Sequence, residues 1–404
     1  MTKLLTAQRF SGVSQLEAAF NDSTNSHVIF DGGGLLPRSH GLHVTLLQES
    51  LLAMGFSLPQ FGADGDFGTE TKVAVSALQI EAGVERRLDL PDHTELIDGK
   101  VGRDTMYLFD TFDPGPTSAG VSSSVPGLEP TSVAFSESQD DAFSGFDIST
   151  VPPSLVVGTR TRRRVHVDVD PPSADVDFIA DDSGIASVAL TNEGIVVTGE
   201  QAGVTLVRGM SGGQEFASLE VVVKDPREEV VNFFFVMDSD NPRHASNREV
   251  SQAGALTSRL NRVWRRQANV HFRLGQATEI VVPSALGDVV TGGEVDEFID
   301  FAVPHELNVF FVWEFEPIEL DQIPGVPIPE FDGTTAIDHD HPDVPVRVFL
   351  DDDDCQDVLT VAHEAGHYLG FFSNQHPPTG ILSVCVGGQD RPRVSRELAD
   401  LVNP

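Results

Sequence analysis

An eight-residue pattern, D-G-x-x-G-x-x-T, occurs twice in the N-terminal part of this chain. The first copy occupies residues 64–71 and the second residues 98–105. An Asp-Gly pair favours a tight turn, because glycine adopts backbone conformations that other residues avoid. The next glycine lets a helix begin close to its neighbour, and Thr or Asp can cap that helix. The pattern therefore predicts a small helical domain built from two turn-and-helix units.

An apolar helical pattern with a leading L-Q-x-x-L, at residues 47–51, precedes the first copy. Together, these features resemble the peptidoglycan-binding-like three-helix domain over about residues 40–112. We assign residues 1–112 to this domain, including an N-terminal extension that contains a further helix. The resemblance implies binding of peptidoglycan in a shallow groove, to which no single residue can be assigned.

A second motif, H-E-A-G-H-Y-L-G, occupies residues 363–370. Residues four apart lie on one face of a helix, so His363 and His367 would point toward one metal ion. Glu364 would lie beside that face, where a carboxylate can accept a proton from water activated by the metal. Gly370 is placed to end the helix. The motif predicts a catalytic zinc site.

The motif up to Gly370 resembles the metzincin metallopeptidases, in which H-E-x-x-H-x-x-G-x-x-H supplies a third histidine ligand. In this chain the third-ligand position is Ser373, and the next histidine is His376. We predict His376 as the third ligand, reached through a longer loop. Ser373 acting through a water molecule and Asp390 are the alternatives. The methionine turn of that family is also absent, and Leu382 lies in the matching stretch.

Apolar runs before the motif predict the rest of a catalytic domain. Buried strands are expected at residues 230–236, 307–315 and 344–350, with a helix at 254–270 and a strand at 270–274. This order is similar to the N-terminal subdomain of metzincins. We therefore assign residues 227–404 to an α+β, metzincin-like catalytic domain.

The two cysteines, Cys355 and Cys385, flank the motif helix and the segment after it. A disulfide between them would close a loop worth about 3–4 kcal/mol in the chain-entropy model, and it would suit an oxidising compartment. Two small buried thiols are the alternative, and a thiolate ligand to zinc is a third option.

Two polar segments raise the question of a second ion. Asp351 to Asp354 form an acidic run, and His339 and His341 alternate with aspartates. Such segments are usually solvated loops. Calcium is the alternative for both, because it prefers carboxylate oxygens.

The middle of the chain separates into a linker and a β-rich segment. Residues 113–150 are rich in Pro, Ser, Gly and Asp, which indicates a flexible linker. Residues 151–226 contain short alternating strands divided by turn residues, which predicts an all-β sandwich. Residues 185–207 resemble the second group of bacterial Ig-like domains, which implies a spacer or docking module.

The net charge of −36 and the presence of only four lysines indicate an acidic surface suited to high salt. This charge argues against nucleic acid and anionic membranes as partners. No apolar run is long enough to span a membrane. Residues 1–8 lack the apolar core of a signal peptide. We expect an extracellular or cell-wall-associated protein exported without an evident signal peptide, for example as cargo of a contractile injection machine.

These features predict a modular, multidomain zinc endopeptidase anchored to peptidoglycan. The resemblance implies zinc bound by His363 and His367, with Glu364 as general base and proteins or peptides as substrate, and we predict His376 as the third ligand. The first alternative is a hydrolase of the stem peptides of peptidoglycan. The second is a non-catalytic wall-binding protein with a degenerate metal site.

Overall fold

The computed structural model describes most of the chain, with gaps. The described residues are 9–10, 12–21, 28–32, 38–56, 58–86, 97–112, 128–136, 145–172, 174–191, 194–246, 248–287, 290–291, 294–316, 333–336, 344–351, 357–371 and 393–404. The chain divides into two compact units, residues 1–225 and 226–404. Helices and several β-sheets are both present, so the chain is a multidomain α+β protein. Among the described helices, none has the length and apolar character needed to cross a membrane.

The first unit begins with a helical part. Its helices are α1 (Ser14–Asn21), α2 (Leu42–Ala53), α3 (Thr69–Arg86) and α4 (Arg103–Phe112). A single apolar core joins all four, and it includes Phe10, Leu16, Leu47, Val75 and Phe109. The rings of Phe10 and Phe109 meet edge to face at 6.1 Å between centroids. The N-terminal extension is therefore packed into the same core as α2, α3 and α4.

A buried glutamine organises the first copy of the repeat. The Nε2 of Gln48 donates to Asp64 Oδ1 and Thr71 Oγ1, both at 2.9 Å, and to the carbonyl oxygen of Asp66 at 3.1 Å. Its Oε1 accepts from the backbone N–H of Gly65 at 2.7 Å. Both ends of one side chain thus hold the turn and the start of α3.

Gln79 repeats this arrangement in the second copy. Its Nε2 donates to Asp98 Oδ1, Thr105 Oγ1 and the carbonyl oxygen of Lys100, and its Oε1 accepts from the N–H of Gly99 at 2.9 Å. The two copies therefore share their spacing for one reason: in each, a single amide side chain forms hydrogen bonds with the polar groups of the turn.

The rest of the first unit is a β-sandwich. Its strands are β1 (Ser132–Ser136), β2 (Phe146–Asp147), β3 (Ser154–Gly158), β4 (Arg162–Asp170), β5 (Asp177–Ala180), β6 (Ala186–Thr191), β7 (Gly194–Gly199), β8 (Gly203–Ser211) and β9 (Gln214–Lys224). One sheet has the order β1-β4-β7-β6 and the other β2-β3-β9-β8-β5. Residues of both sheets share one core, including Phe135, Val165, Ile195, Leu155, Val207 and Leu219.

The predicted linker of residues 113–150 is wrong over part of its length. Strand β1 lies within it and pairs with β4, with Ser132 opposite Asp170. Strand β2 also lies within it and pairs with β3. The sandwich therefore begins before residue 151. These strands were missed because their partners are distant in the chain, and because both strands are short and lie in a segment rich in Pro, Ser, Gly and Asp.

The second unit is a mixed sheet with helices. Its elements are β10 (Arg227–Asp238), α5 (Ala253–Ala268), β11 (Val270–Val282), α6 (Ser284–Gly287), β12 (Val290–Thr291), β13 (Leu307–Phe311), β14 (Phe315–Glu316), β15 (Gly333–Ala336), β16 (Arg347–Leu350), α7 (Asp357–Leu369) and α8 (Arg396–Val402). The main sheet has the order β11-β10-β13-β16-β15. Strands β10, β11, β13 and β16 are parallel, and β15 is antiparallel at one edge.

The predicted strand at residues 307–315 is too long. Strand β13 ends at residue 311, and Phe315 belongs to β14, which pairs with β12 in a separate two-stranded sheet. One face of the main sheet is an aromatic row, in which the rings of Phe310 stack on Phe234 at 4.6 Å and on Phe349 at 5.2 Å. Helix α7, which carries the histidine motif, packs against α5, β13 and β15.

Candidate metal centre on the motif helix

Helix α7 brings His363 and His367 together as their spacing predicts. Their Nε2 atoms lie 3.3 Å apart, and their ring centroids are separated by 5.1 Å. Two imidazole nitrogens at about 2.0–2.1 Å from a tetrahedral zinc ion lie about 3.3 Å from each other. The pair therefore fits two ligands of one zinc ion without rearrangement.

The local chain fixes the tautomer of His367. Its Nδ1 lies 2.7 Å from the carbonyl oxygen of Phe371, an acceptor, so Nδ1–H donates and Nε2 carries the lone pair. Gly370 makes this contact reachable, because its φ of +130° lets the chain turn back at the helix end. Burial lowers the pKa of His367 below its usual value, which keeps the ring neutral and able to bind a metal.

Glu364 is buried beside the histidine pair, with 6% of its surface exposed. Its Oε1 lies 4.0 Å from His363 Nε2. A carboxylate at this distance is too far to take the place of a histidine ligand, yet near enough to accept a proton from water held next to the ion. The arrangement suits a general base.

The end of α7 is tied to the main sheet by Tyr368, a contact that the sequence analysis missed. The Tyr368 hydroxyl donates to Glu229 Oε2 at 2.6 Å and lies 3.3 Å from the carbonyl oxygen of His305. Arg227 in turn donates to the other oxygen of Glu229 at 2.6 Å. Burial and Glu229 raise the pKa of Tyr368, so the phenol stays protonated and donates. The only sequence signal was a tyrosine inside the motif itself.

Several predicted site residues lie outside the described residues. They are His376, Ser373, Asp390 and Leu382 around the predicted third-ligand position, Cys355 and Cys385 of the predicted disulfide, and His339, His341 and Asp352 to Asp354 of the predicted calcium alternatives. Within the described ranges, no third His, Cys, Asp or Glu joins the histidine pair in a metal-binding group. The third ligand therefore stays a prediction.

Short stretches of the chain are similar to known proteins, although no family model matches it. A probable N-acetylmuramoyl-L-alanine amidase of Bacillus licheniformis is 56% identical over 45 residues, which is 11% of this chain and 13% of that protein. The N-acetylmuramoyl-L-alanine amidase CwlL of the same organism is 54% identical over 44 residues, covering 11% and 12%. The type VI secretion system spike protein VgrG3 of Vibrio cholerae serotype O1 is 38% identical over 72 residues, covering 18% and 7%.

The chain thus spans between 7% and 13% of the length of these relatives. Among solved structures, a sialyltransferase of Photobacterium damsela aligns with 41% of this chain and 35% of its own, at 10% identity and a TM-score of 0.16. That score does not establish a shared fold.

Proposed function

We propose that this protein is a zinc-dependent hydrolase of amide bonds that acts on peptidoglycan. The observation that carries the proposal is the 3.3 Å separation of the two Nε2 atoms, next to the buried carboxylate of Glu364. This is the donor set that a hydrolytic zinc site uses, completed by one further ligand. His376 is our proposal for that ligand.

The helical part of the first unit supports peptidoglycan as the substrate. Its doubled turn resembles the peptidoglycan-binding-like domain. Two of the relatives are named as N-acetylmuramoyl-L-alanine amidases, and we infer that the stretches they share with this chain lie in this helical part. Stem peptides of peptidoglycan are therefore a better-supported substrate than proteins, which were our first expectation.

The chemistry follows from the residues in place. A zinc ion held by His363 and His367 would polarise the carbonyl and lower the pKa of water. Glu364 would accept the proton of the attacking water and pass it to the leaving nitrogen. The hydrogen bond from His367 Nδ1–H to the carbonyl oxygen of Phe371 selects the tautomer whose Nε2 lone pair faces His363.

Protein substrates are the second candidate, because strand β15 offers an edge at which an extended peptide can pair. Among the described strands, β15 lies at the edge of the main sheet, next to α7. An edge strand can pair with an extended peptide through backbone hydrogen bonds. A stem peptide is also an extended chain, so this observation alone does not separate the two substrates.

Metal analysis followed by activity assays tests the proposal. We expect the purified protein to bind about one zinc ion per chain, as hydrolytic sites do. The variants His363→Ala and His376→Ala should lose most of it. Glu364→Gln should keep the metal and lose hydrolysis, while the exposed Glu297→Gln keeps both. Amine release from purified peptidoglycan, compared with casein cleavage, identifies the substrate.

Three outcomes would contradict the proposal. A wild-type protein that binds no zinc after reconstitution at high salt would favour a non-catalytic wall-binding protein. Hydrolysis that survives in Glu364→Gln would remove the assigned base. Casein cleavage without release from peptidoglycan would favour the endopeptidase.

A further inference from the structure

The connections of the main sheet leave the carboxyl ends of β10 and β13 in opposite directions. From the end of β10 the chain continues to α5 and then to β11, on one side of β10. From the end of β13 it continues to β15 and β16, on the opposite side. In open parallel sheets, ligands bind where neighbouring connections leave in opposite directions. The strand order therefore predicts a binding site at the carboxyl ends of β10 and β13.

Side chains at this edge form what we call the Trp313 cluster. The rings of His244 and Trp313 stack at 5.6 Å with an interplanar angle of 20°. The Arg248 guanidinium lies 4.9 Å from the centroid of the Phe311 ring, two residues before Trp313. Trp313 is nevertheless 40% exposed. The cluster consists of Asp238, Asn241, His244, Arg248 and Trp313.

His244 is held in place by its own loop. Its Nε2 lies 2.8 Å from Asn241 Nδ2, and its Nδ1 lies 3.5 Å from Asp238 Oδ2. Its backbone carbonyl accepts from the N–H of Asp238 at 3.0 Å, and its N–H donates to the carbonyl oxygen of Asn241 at 2.9 Å. Asp238 Oδ1 also accepts from the N–H of Asp240 at 2.7 Å. The ring that backs Trp313 is therefore fixed before any ligand arrives, which reduces the entropy cost of binding.

The Trp313 cluster is separate from the metal centre. Tyr368, next to the motif, contacts the chain at His305, before the start of β13. Trp313 follows the end of the same strand. The six residue-to-residue steps from Leu307 to Trp313 span up to about 20 Å. The cluster and the C-terminal end of α7 thus lie near opposite ends of β13.

We propose that the Trp313 cluster is a saccharide-binding site, in which the flat face of an uncharged pyranose ring stacks on the indole of Trp313. One indole face is backed by His244, and the exposed fraction leaves room for a ring on the other. The indole Nε1 makes no hydrogen bond within the described part of the chain, so it can donate to a sugar hydroxyl or acetamido oxygen. The site adds to the proposed function, and only the choice of an amino sugar as probe rests on it.

The acidic character of the chain disfavours a nucleotide, which is the main aromatic alternative. A nucleotide would also stack on an indole, but it carries phosphate charges. The net charge of the chain is −36, which repels anions at a distance. A neutral saccharide meets no such repulsion.

Intrinsic tryptophan fluorescence tests this site directly. The chain has two tryptophans, and Trp264 is fully buried, so a soluble quencher such as acrylamide reports on Trp313. Since the other tryptophan lies in α5, binding by the helical part of the first unit is silent in this signal. We expect a β-1,4-linked tetramer of N-acetylglucosamine to reduce quenching, with a dissociation constant of about 1 mM or below, as for a ligand that stacks through one ring.

Two variants keep the fluorescence of Trp313 and remove the side chains that hold its ring partner in place. His244→Ala and Asn241→Ala should each weaken protection of Trp313 by at least about fivefold, because each loosens the preformed ring. His166→Ala, which changes a partly exposed side chain on β4 of the sandwich, is the matched control and should leave protection unchanged. Circular dichroism of all three variants establishes that they are folded.

Several results would overturn the inference. One is a tetramer that does not protect Trp313 at about 10 mM, tenfold above the expected dissociation constant. Another is equal protection in the wild type and in both cluster variants. A third is an aromatic dipeptide that protects Trp313 where the tetramer does not, which would indicate a peptide site instead. The tetramer contains no peptide bond, so loss of peptidoglycan hydrolysis with intact protection would refute the proposed function alone.

Discussion

The indole Nε1 of Trp264 donates a hydrogen bond at 3.0 Å to the carbonyl oxygen of Ala362, the residue directly before His363. Both residues are fully buried, and they are 98 positions apart in the chain. Ala362 and Ala365 present small side chains where α7 meets its neighbours. Helix α5 therefore sets the position of the helix that carries both histidines.

Trp264→Phe should weaken the metal centre without touching a ligand. The change removes one buried hydrogen bond, for which we expect a loss of about 1–2 kcal/mol in the free energy of unfolding of the second unit. Zinc affinity, measured by competition with a chelator, should fall several-fold. Glu297→Gln is the control, because a substitution at an exposed position usually changes stability by less than about 0.5 kcal/mol. Equal effects of the two variants would contradict this role of Trp264.

Gln79→Ala should destabilise the helical part of the first unit. The change leaves the N–H of Gly99 and other buried polar groups without their shared partner, at a cost of about 2–4 kcal/mol. Hydrogen exchange resolves this part from the rest of the chain, and binding to purified peptidoglycan should decline with it. Gln60→Ala, on an exposed turn, should leave both unchanged.

Gly99→Ala separates a steric clash from backbone strain. Gly99 has a φ of +67°, and an added Cβ would lie 2.5 Å from Lys72 Cγ and 2.7 Å from Ser76 Oγ. We expect a loss of about 2–4 kcal/mol, from strain and overpacking together. Gly213 has a similar φ of +84° with nothing within 4 Å, so Gly213→Ala should cost only the strain, about 1–2 kcal/mol. Equal losses would mean that α3 gives way to the added atom.

Low pH should destabilise the metal-free protein, because His367 is protonated more readily in the unfolded state. Burial lowers the pKa of His367 below 6.5, so the folded state binds fewer protons than the unfolded state. The free energy of unfolding should therefore fall as the pH drops below about 6.5, the unfolded value. Urea titrations of the chelator-treated protein between pH 5 and 8 measure this slope. His367→Gln should flatten it, and an unchanged slope would assign the effect to other histidines, such as His43, whose pKa burial also lowers.

Salt should stabilise the protein. The net charge of −36 produces repulsion within the folded chain, and about 1 M salt reduces the screening length to about 3 Å. We expect the melting temperature to rise steadily between low salt and about 1 M sodium chloride. Potassium chloride at the same ionic strength should act alike. A melting temperature insensitive to both salts would show that neighbouring charges already compensate one another.

The sequence and the structure agree where the determining interactions are local. The four-residue spacing of His363 and His367 fixes their common face on any helix, because the helical repeat is the same everywhere. Gly370 ends that helix with a positive φ, as its residue type predicts. The turns at Gly65 and Gly99 also follow from residues within a few positions.

Long-range pairing decided what the sequence could not. Strand β1 lies in a segment that is polar enough to resemble a linker, and only its pairing with β4 makes it a strand. The strand that begins at Leu307 ends early because Phe315 pairs with β12 instead. Neither partner is visible from local composition, since strand pairing joins residues that are distant in the chain.

The sequence by itself determined the histidine pair, the carboxylate of Glu364 beside it and the doubled turn, since each depends on helix and turn geometry over fewer than ten residues. Only the tertiary structure brought Trp264 to Ala362, Tyr368 to Glu229 and His244 to Trp313. Those contacts depend on the order of strands in one sheet and on the packing of α5 against α7. They follow from burying apolar surface across the whole unit, which no short stretch of sequence specifies.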